Sequence, residues 1–229
     1  MKAGVKIRTS DEKGDAMEPN LISEPTRILA DGKALDGDLI LPSGTKSIVL
    51  FAHGSGSSRR SPRNQYVARV LQEAGIGTLL FDLLTQQEDS VYETRFNIEL
   101  LTSRLMTATH WLKDRPQTEG LLVGYFGAST GAAAALWAAA EFGPQIRAVV
   151  SRGGRPDLAM PVLDKVQAPT LLIVGGWDDV VIELNQSAYA RLRCEKSLEI
   201  VPEATHLFEE PGKLEAAAKL AKEWFQKYL

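Results

Sequence analysis

The sequence predicts an α/β protein in which a doubly wound, mostly parallel sheet of about eight strands follows an N-terminal antiparallel hairpin. Short apolar runs alternate with longer amphipathic segments over most of the 229 residues, which is typical of a parallel sheet with helices on both faces. Near the N-terminus, the apolar runs 24–30 and 35–41 are separated by the turn signal Asp31-Gly32-Lys33. This spacing predicts a hairpin at one edge of the sheet.

Several further apolar runs predict strands, each ending just before a polar or glycine-rich turn. They are 47–52, 77–81, 121–126, 146–151, 170–174 and 198–201. Segments with one apolar face predict the intervening helices at 62–74, 98–112, 132–140, 184–192 and 214–225. The interval from the strand at 146–151 to Ala168 is too short for an inserted helical lid, so we expect no large cap domain. The polar segment 83–95 is the best candidate for a mobile loop over the site.

Composition limits the classes of protein that the chain can represent. We expect one domain over residues 21–229, preceded by a polar tail at residues 1–20. The net charge of −3 with interspersed signs argues against nucleic-acid binding. No apolar run approaches the ~20 residues of a membrane span, and we expect no secretory signal at the N-terminus. With one cysteine, Cys194, we expect a cytoplasmic monomer or homodimer without an internal disulfide.

The segment 121–140 carries the strongest functional signal. An apolar strand leads into Gly127-Ala128-Ser129-Thr130-Gly131, and an alanine-rich helix follows. This is the context of a nucleophile elbow, in which a serine is exposed on a strained turn between strand and helix. The two glycines let the backbones pass closely, and the helix N-terminus favours negative charge near the serine oxygen. The alternative is that Ser129 merely caps the helix.

A glycine-rich loop, His53-Gly54-Ser55-Gly56-Ser57-Ser58, follows the strand at 47–52. Arg59 occupies the place where a dinucleotide-binding loop requires glycine, and no Lys-Ser/Thr pair of a P-loop follows. The loop therefore predicts an oxyanion hole, in which the Ser55 N–H acts beside that of Thr130. Gly54 would then line the substrate site, whereas a plain turn is the alternative.

Arginines stand near two of the predicted strand ends. Those after the glycine-rich loop are Arg59, Arg60 and Arg63, which either solvate a helix start or bind an anionic substrate group. Arg152 and Arg155 follow the strand at 146–151 and either orient the substrate or tie their loop down through Asp157, the interpretation that we favour. Arg59 and Arg152 are retained as candidate substrate-binding residues.

An acid and a base complete the predicted site. Asp178 lies just past the strand at 170–174, with Asp179 as the second choice, and His206 lies just past the last strand. Of the other histidines, His53 belongs to the glycine-rich loop and His110 lies within a predicted helix. The order Ser129, Asp178, His206, each after a strand, is that of α/β-hydrolases.

The motifs FAHGSGSS, GYFGASTGA, VGGWDD and ATHLFEEPG resemble those of α/β-hydrolases in the dienelactone hydrolase-like group, over residues 24–229. The resemblance implies the α/β-hydrolase fold and a hydrolase activity. Dienelactone hydrolases carry a cysteine where this chain has Ser129, so the resemblance does not fix dienelactone as the substrate. Some relatives are joined to a phosphoribosyltransferase module, which we do not expect here.

These roles predict acyl transfer to water. His206 would take the proton of Ser129 as it attacks an acyl carbonyl, while Asp178 would orient the imidazole. A small-molecule ester and water are the expected reactants, and neither a metal nor an organic cofactor is required. The alternatives are a serine peptidase or acyltransferase with the same triad, or a non-catalytic receptor on this fold.

Overall fold

The computed structural model describes residues 21–229, and the tail predicted for residues 1–20 lies outside the described residues. Within the described range, eight strands form one sheet in the order β1-β2-β4-β3-β5-β6-β7-β8. The strands are β1 (Ile22–Ala30), β2 (Lys33–Leu41), β3 (Ser47–Ala52), β4 (Gly77–Phe81), β5 (Leu122–Ala128), β6 (Ile146–Arg152), β7 (Thr170–Gly175) and β8 (Lys196–Val201). The strand count and the doubly wound order confirm the predicted fold class.

The N-terminal hairpin forms the predicted edge of the sheet. β1 and β2 pair antiparallel along their whole lengths, from Ile22 opposite Leu41 to Ala30 opposite Lys33. β2 also runs antiparallel to β4, and every later pairing is parallel. Every residue of β3, β4 and β7 is buried, because helices cover both faces of a parallel sheet.

Six α-helices lie between or after the strands of the described range. They are α1 (Pro62–Glu73), α2 (Gln86–Asp89), α3 (Ile98–Lys113), α4 (Thr130–Phe142), α5 (Asp179–Arg191) and α6 (Lys213–Tyr228). Val67 of α1 and Phe225 of α6 belong to one apolar cluster, whereas Leu105 of α3 and Leu136 of α4 belong to another. The two clusters lie on opposite faces of the sheet, so the carboxyl edge of the parallel strands stays open for a site.

The segment 83–95 is more regular than the sequence analysis predicted. Thr85 and Glu88 form a capping box that starts the short helix α2, and a 3-10 helix follows at Glu93–Phe96. Glu88 also accepts a hydrogen bond at 3.0 Å from the guanidinium of Arg104, which is buried in α3. The spacing Thr-x-x-Glu is a known helix-start signal that the sequence analysis passed over.

The interval between β6 and β7 holds a 3-10 helix, Pro156–Lys165, which packs beside α4 and α5. Pro161, inside this helix, disfavours a regular α-helix there. Over residues 21–229 no large cap covers the carboxyl edge of the sheet, as predicted. Among the same residues, no helix combines the length and apolar character that crossing a membrane requires.

Candidate active site

Ser129 lies on the turn between β5 and α4, in a backbone conformation that non-glycine residues rarely adopt. Its φ is 50° and its ψ is −123°. The surrounding chain holds this conformation, because the Ser129 carbonyl accepts hydrogen bonds from the N–H groups of Ala132 at 3.1 Å and Arg155 at 3.0 Å. Strain of this kind persists only where neighbouring contacts impose it, and it concentrates at functional sites. The Ser129 side chain makes no helix-capping hydrogen bond, which disfavours the simple cap.

The glycines around this turn are required by close packing. A Cβ on Gly131 would lie 2.1 Å from the Ala52 carbonyl oxygen, and one on Gly127 would lie 2.4 Å from the Ala132 Cα. A Cβ on Gly54 would lie 2.9 Å from the Ser129 Cβ. The glycine-rich loop after β3 can therefore lie directly against the serine only because position 54 has no side chain.

His206 is hydrogen-bonded to Asp178. The imidazole Nδ1–H donates to the Asp178 Oδ2 at 2.7 Å, which leaves Nε2 of the neutral ring free to accept a proton. Asp178 follows β7 and immediately precedes α5, whereas Asp179 is exposed as the first residue of that helix. Of the two predicted acids, the structure brings Asp178 to the histidine.

A cavity of about 170 Å³ lies at the carboxyl edge of the sheet beside this pair. Among the predicted site residues, it is lined by Gly54, Ser55, Ser129, Arg152 and His206. Residues that the site prediction left out also line it, namely Ser57, Ser61, Arg63, Asn64, Ala128 and Leu207. A larger cavity of about 680 Å³ lies between α3, α4 and the 3-10 helix 156–165, and contains none of the predicted site residues.

The two predicted oxyanion donors are the backbone N–H groups of Ser55 and Thr130. Ser55 lines the cavity, and Thr130 is the buried first residue of α4, whose N–H has no intrahelical partner. In the turns and caps of the described residues, no group accepts a hydrogen bond from either N–H. Both N–H groups therefore stay the predicted donors to a developing negative charge.

His53 links the glycine-rich loop to the end of β4. Its Nε2 accepts a hydrogen bond from the Leu83 N–H at 2.9 Å, and its Nδ1–H donates to the Gly54 carbonyl at 3.0 Å. Burial lowers the pKa of His53, since the protonated ring would lose its hydration and would point a second N–H at a donor. This neutral imidazole fixes the backbone next to Ser55.

Arg59 lies outside the cavity, within a group of carboxylates. Its backbone N–H donates to the Asp82 Oδ1 at 2.8 Å, and its guanidinium also pairs with the Asp82 carboxylate. Its Nε lies 3.3 Å from the Asp38 Oδ2, and its Nη2 lies 3.8 Å from the Asp36 Oδ2. Substrate binding by Arg59 stays an untested prediction, and its observed contacts are structural.

The two arginines after β6 have different surroundings. Arg155 pairs with both carboxylate oxygens of Asp157, at 2.9 and 2.8 Å, as the favoured interpretation predicted. Arg152 is instead buried, and its Nε and Nη1 have no hydrogen-bond partner among the described residues. Burial, aided by the charge of Arg63, lowers the pKa of Arg152 to about 10, so its guanidinium is still protonated at neutral pH.

Arg63 and Asn64, at the start of α1, complete the polar lining. Asn64 is 2% exposed, and its Oδ1 has no partner within the described part of the chain. The sequence analysis raised an anionic ligand for Arg63 but did not single out Asn64. The available signal was a polar residue in the first turn of a helix that directly follows the glycine-rich loop.

The described residues contain no cluster of His, Cys, Asp or Glu side chains arranged to hold a metal ion. A sheet of this order, with a serine turn after its central strand β5, has the α/β-hydrolase fold. The dienelactone hydrolase family matches residues 50–229, and the chain belongs to that family.

Solved structures support the same assignment. A dienelactone hydrolase from Anabaena variabilis is 56% identical, with a TM-score of 0.89 over 91% of this chain and 99% of that one. An esterase from Pyrococcus furiosus is 19% identical, with a TM-score of 0.77 over 91% of this chain and 92% of that one, so it shows the likeness of fold alone.

Two curated proteins from strains of Mycobacterium tuberculosis are 57% identical over 214 residues. Their names give phosphoribosyl transferase as a provisional activity. The matched region covers 93% of this chain but 48% of each of those proteins, so the chain spans about half the length of the curated relatives that it matches.

Proposed function

We propose that this protein is a serine esterase that cleaves small carboxylic esters through an acyl-enzyme on Ser129. The observation that carries the proposal is the 2.7 Å hydrogen bond between His206 and Asp178, because His206 lines the same cavity as Ser129. Membership of the dienelactone hydrolase family supports hydrolysis as the reaction class. Thioesters and activated amides have the same reacting carbonyl and are alternative substrates.

The first step is acylation. The Ser129 hydroxyl attacks the acyl carbon while its proton passes to the His206 Nε2, and Asp178 stabilises the resulting imidazolium. The carbonyl oxygen becomes an oxyanion that accepts hydrogen bonds from the Ser55 and Thr130 N–H groups. When this intermediate collapses, the alcohol leaves and takes from His206 the proton that came from Ser129.

Deacylation repeats the sequence with water as the nucleophile. His206 removes a proton from water, hydroxide adds to the acyl carbon, and the Ser129 oxygen leaves with the returned proton. The residues account for each proton transfer without a metal or an organic cofactor. Only a neutral imidazole can act as the base in these steps.

The size of the cavity favours small substrates. Its volume of about 170 Å³ is below the ~300 Å³ at which drug-sized ligand sites begin. No large cap extends the cavity within the described residues. We further propose that the protein acts in the cytoplasm as a monomer or homodimer, with no nucleic-acid or membrane partner, on the basis of its net charge of −3 and single cysteine.

Active-site labelling tests the proposal. The purified protein would be incubated with a fluorophosphonate, and the added mass located by peptide mass spectrometry in the wild type, Ser129→Ala and His206→Ala. We expect stoichiometric label on Ser129 that both substitutions abolish. Ser187→Ala is the matched control, because Ser187 is exposed on α5 and bonded only to the Glu183 carbonyl.

Two outcomes would contradict the esterase proposal. Label on a different serine would mean that Ser129 is not the activated hydroxyl. A folded protein that neither reacts with the probe nor hydrolyses a panel of small esters would favour a non-catalytic receptor. Turnover of aminoacyl amides, or transfer to an added alcohol in preference to water, would instead identify a peptidase or an acyltransferase.

A further inference from the structure

The segment from Arg152 to Arg155, which we call the β6 loop, contacts two parts of the candidate active site. The Arg152 carbonyl accepts a hydrogen bond from the Ser129 N–H at 3.4 Å, and the Arg155 N–H donates to the Ser129 carbonyl at 3.0 Å. Gly153 lies against the histidine, since a Cβ there would lie 3.0 Å from the His206 carbonyl oxygen and 3.6 Å from its Cε1. The position of the β6 loop therefore helps to set the positions of the proposed nucleophile and the proposed base.

One buried side chain holds the middle of the β6 loop. The Asn185 Nδ2 amide donates to the Gly154 carbonyl at 3.0 Å and to the Val181 carbonyl, one turn earlier in α5, at 2.8 Å. Asn185 is 0% exposed, and its Oδ1 has no hydrogen-bond partner among the described residues. Its two N–H donors thus meet two carbonyl acceptors, and this pairing fixes the orientation of the amide. Removing such a donor would leave a buried carbonyl without its hydrogen bond, which is costly.

Gly154 itself is closely packed between β6 and α4. A Cβ at this position would lie 1.9 Å from the Ser151 Oγ and 2.6 Å from the Ala132 Cβ. Ala132 lies in the first turn of α4, and its N–H donates to the Ser129 carbonyl at 3.1 Å. A closely packed interior transmits small displacements, so a shift of Gly154 would reach the turn that carries Ser129.

Asn185 lies on the helix that carries the proposed triad acid. Asp178 immediately precedes α5, and Asn185 follows it by seven residues, about two turns of the helix. Residues at this spacing lie on the same side of a helix. Asp178 bonds His206 at 2.7 Å. The Asn185 amide therefore joins the helix behind the acid to the loop that contacts the nucleophile and the base.

We propose that Asn185 is a positioning residue for the proposed esterase reaction, in which its amide holds the β6 loop against α5 and keeps Ser129, Asp178 and His206 in one catalytic geometry. Asn185 does not line the cavity and acts through the backbone of Gly154 and its neighbours. Misplacing reacting groups slows the chemical step more than it weakens substrate binding. The catalytic effect rests on the proposed esterase function, whereas the anchoring of the β6 loop does not.

Substitution of Asn185 tests the catalytic effect. Asn185→Leu removes the N–H donors and keeps a similar volume, so kcat for phenyl acetate should fall by about 30-fold or more while KM changes by less than about threefold. The control is Thr118→Val, because Thr118 is 4% exposed and its hydroxyl donates to the Leu112 carbonyl, in the segment that precedes β5. This variant also removes a buried hydrogen bond from side chain to backbone, but it should keep kcat within about twofold of the wild type.

Amide hydrogen exchange followed by NMR measures the loop without relying on turnover. In the wild type, the N–H groups of Gly153 and Arg155 donate to the carbonyls of Ile173 and Ser129, so both should be protected from exchange. We expect Asn185→Leu to speed their exchange by about 10-fold or more, and Thr118→Val to leave it unchanged.

A folded Asn185→Leu protein whose kcat stays within about threefold of the wild type would overturn the proposal. An equal loss of kcat in Thr118→Val would do the same, because any buried hydrogen bond would then suffice. A raised KM with unchanged kcat would assign Asn185 to substrate binding instead. If Asn185→Leu does not fold, Asn185→Ala takes its place in both measurements.

Failure of the esterase proposal has a separate signature. A wild type that hydrolyses no ester and takes no label on Ser129 contradicts the proposed function. Amide exchange then decides the anchoring of the β6 loop, and unchanged exchange at Gly153 and Arg155 in the Asn185 variants would refute it.

Discussion

Two arginine-containing regions at the carboxyl edge of the sheet have opposite electrostatic designs. Arg59 lies among three carboxylates, those of Asp36, Asp38 and Asp82. Arg152 is more deeply buried than Arg59 and has no carboxylate partner among the described residues. The charge of Arg59 is therefore balanced by its neighbours, whereas that of Arg152 is left unpaired beside the proposed nucleophile.

This difference in charge pairing shows which part of the fold keeps groups that lower its stability. The Arg59 cluster joins the hairpin strand β2 to the ends of β3 and β4, so its charges hold the sheet edge together. The cavity around Ser129 combines a strained backbone with unpartnered donors and acceptors. Groups of this kind cost folding free energy and remain where binding or catalysis uses them.

The largest expected effect is the loss of turnover on replacing Ser129. Ser129→Gly should lower kcat by about 10⁴-fold or more, because the attacking oxygen is removed. It should also raise the free energy of unfolding by about 1 kcal/mol, since glycine adopts a φ of 50° without strain. Steady-state kinetics and urea denaturation measure the two effects.

Ser129→Ala is the control for that experiment, because alanine removes the oxygen but keeps the strained Cβ. It should lose activity to the same extent without the same gain in stability. Equal stability of the two variants would mean that the turn carries no strain.

The next largest effect is a loss of stability when the charge of Arg59 is removed from its carboxylate cluster. Arg59→Met should lower the free energy of unfolding by about 2 kcal/mol, because Asp82 is left partly buried without its cation. Ester turnover should fall far less than in the Ser129 variants. A loss of turnover comparable to that of Ser129→Ala, in a folded protein, would support Arg59 as a substrate-binding residue.

Removing the charge of Arg152 from the cavity should have a smaller effect on stability, of the opposite sign. Arg152→Met should raise the free energy of unfolding by about 1 kcal/mol, because a similar volume is kept and a desolvated charge is removed. Urea denaturation beside Arg59→Met tests the comparison directly. Destabilisation of similar size in both variants would show that Arg152 is as well partnered as Arg59.

The smallest effect concerns His53, which connects the two regions by bonding Gly54 of the cavity and Leu83 beside Asp82. Burial lowers the pKa of His53 in the folded protein. Below about pH 6.5 its imidazole therefore binds a proton in the unfolded chain but not in the folded one. Stability should therefore fall as the pH is lowered from there, by at most about 1.4 kcal/mol per pH unit from this group.

His53→Gln should remove that part of the pH dependence while lowering stability at neutral pH. Urea denaturation of both proteins at several pH values gives the difference, in which the contributions of the other two histidines cancel. Parallel pH profiles for the two proteins would contradict the assignment.

The sequence by itself determined the order of strands and helices, because each buried strand is a continuous apolar run and each turn has its own residue signal. The chain order Ser129, Asp178, His206 was equally available, since each residue lies within five positions of the end of a predicted strand. Most boundaries were displaced by one or two residues, as where β5 runs to Ala128, but α5 begins at Asp179, five residues before the predicted 184. The short helix within segment 83–95 was not predicted, because the capping box of Thr85 and Glu88 was overlooked.

Only the tertiary structure decided which charged side chains form ion pairs. Arg59, Arg152 and Arg155 look alike in sequence, yet one joins a carboxylate cluster, one is buried unpaired and one pairs locally with Asp157. The choice between Asp178 and Asp179 also depended on which carboxylate reaches His206. Side-chain pairing across a sheet edge depends on contacts between residues far apart in the chain, which no local pattern of residues encodes.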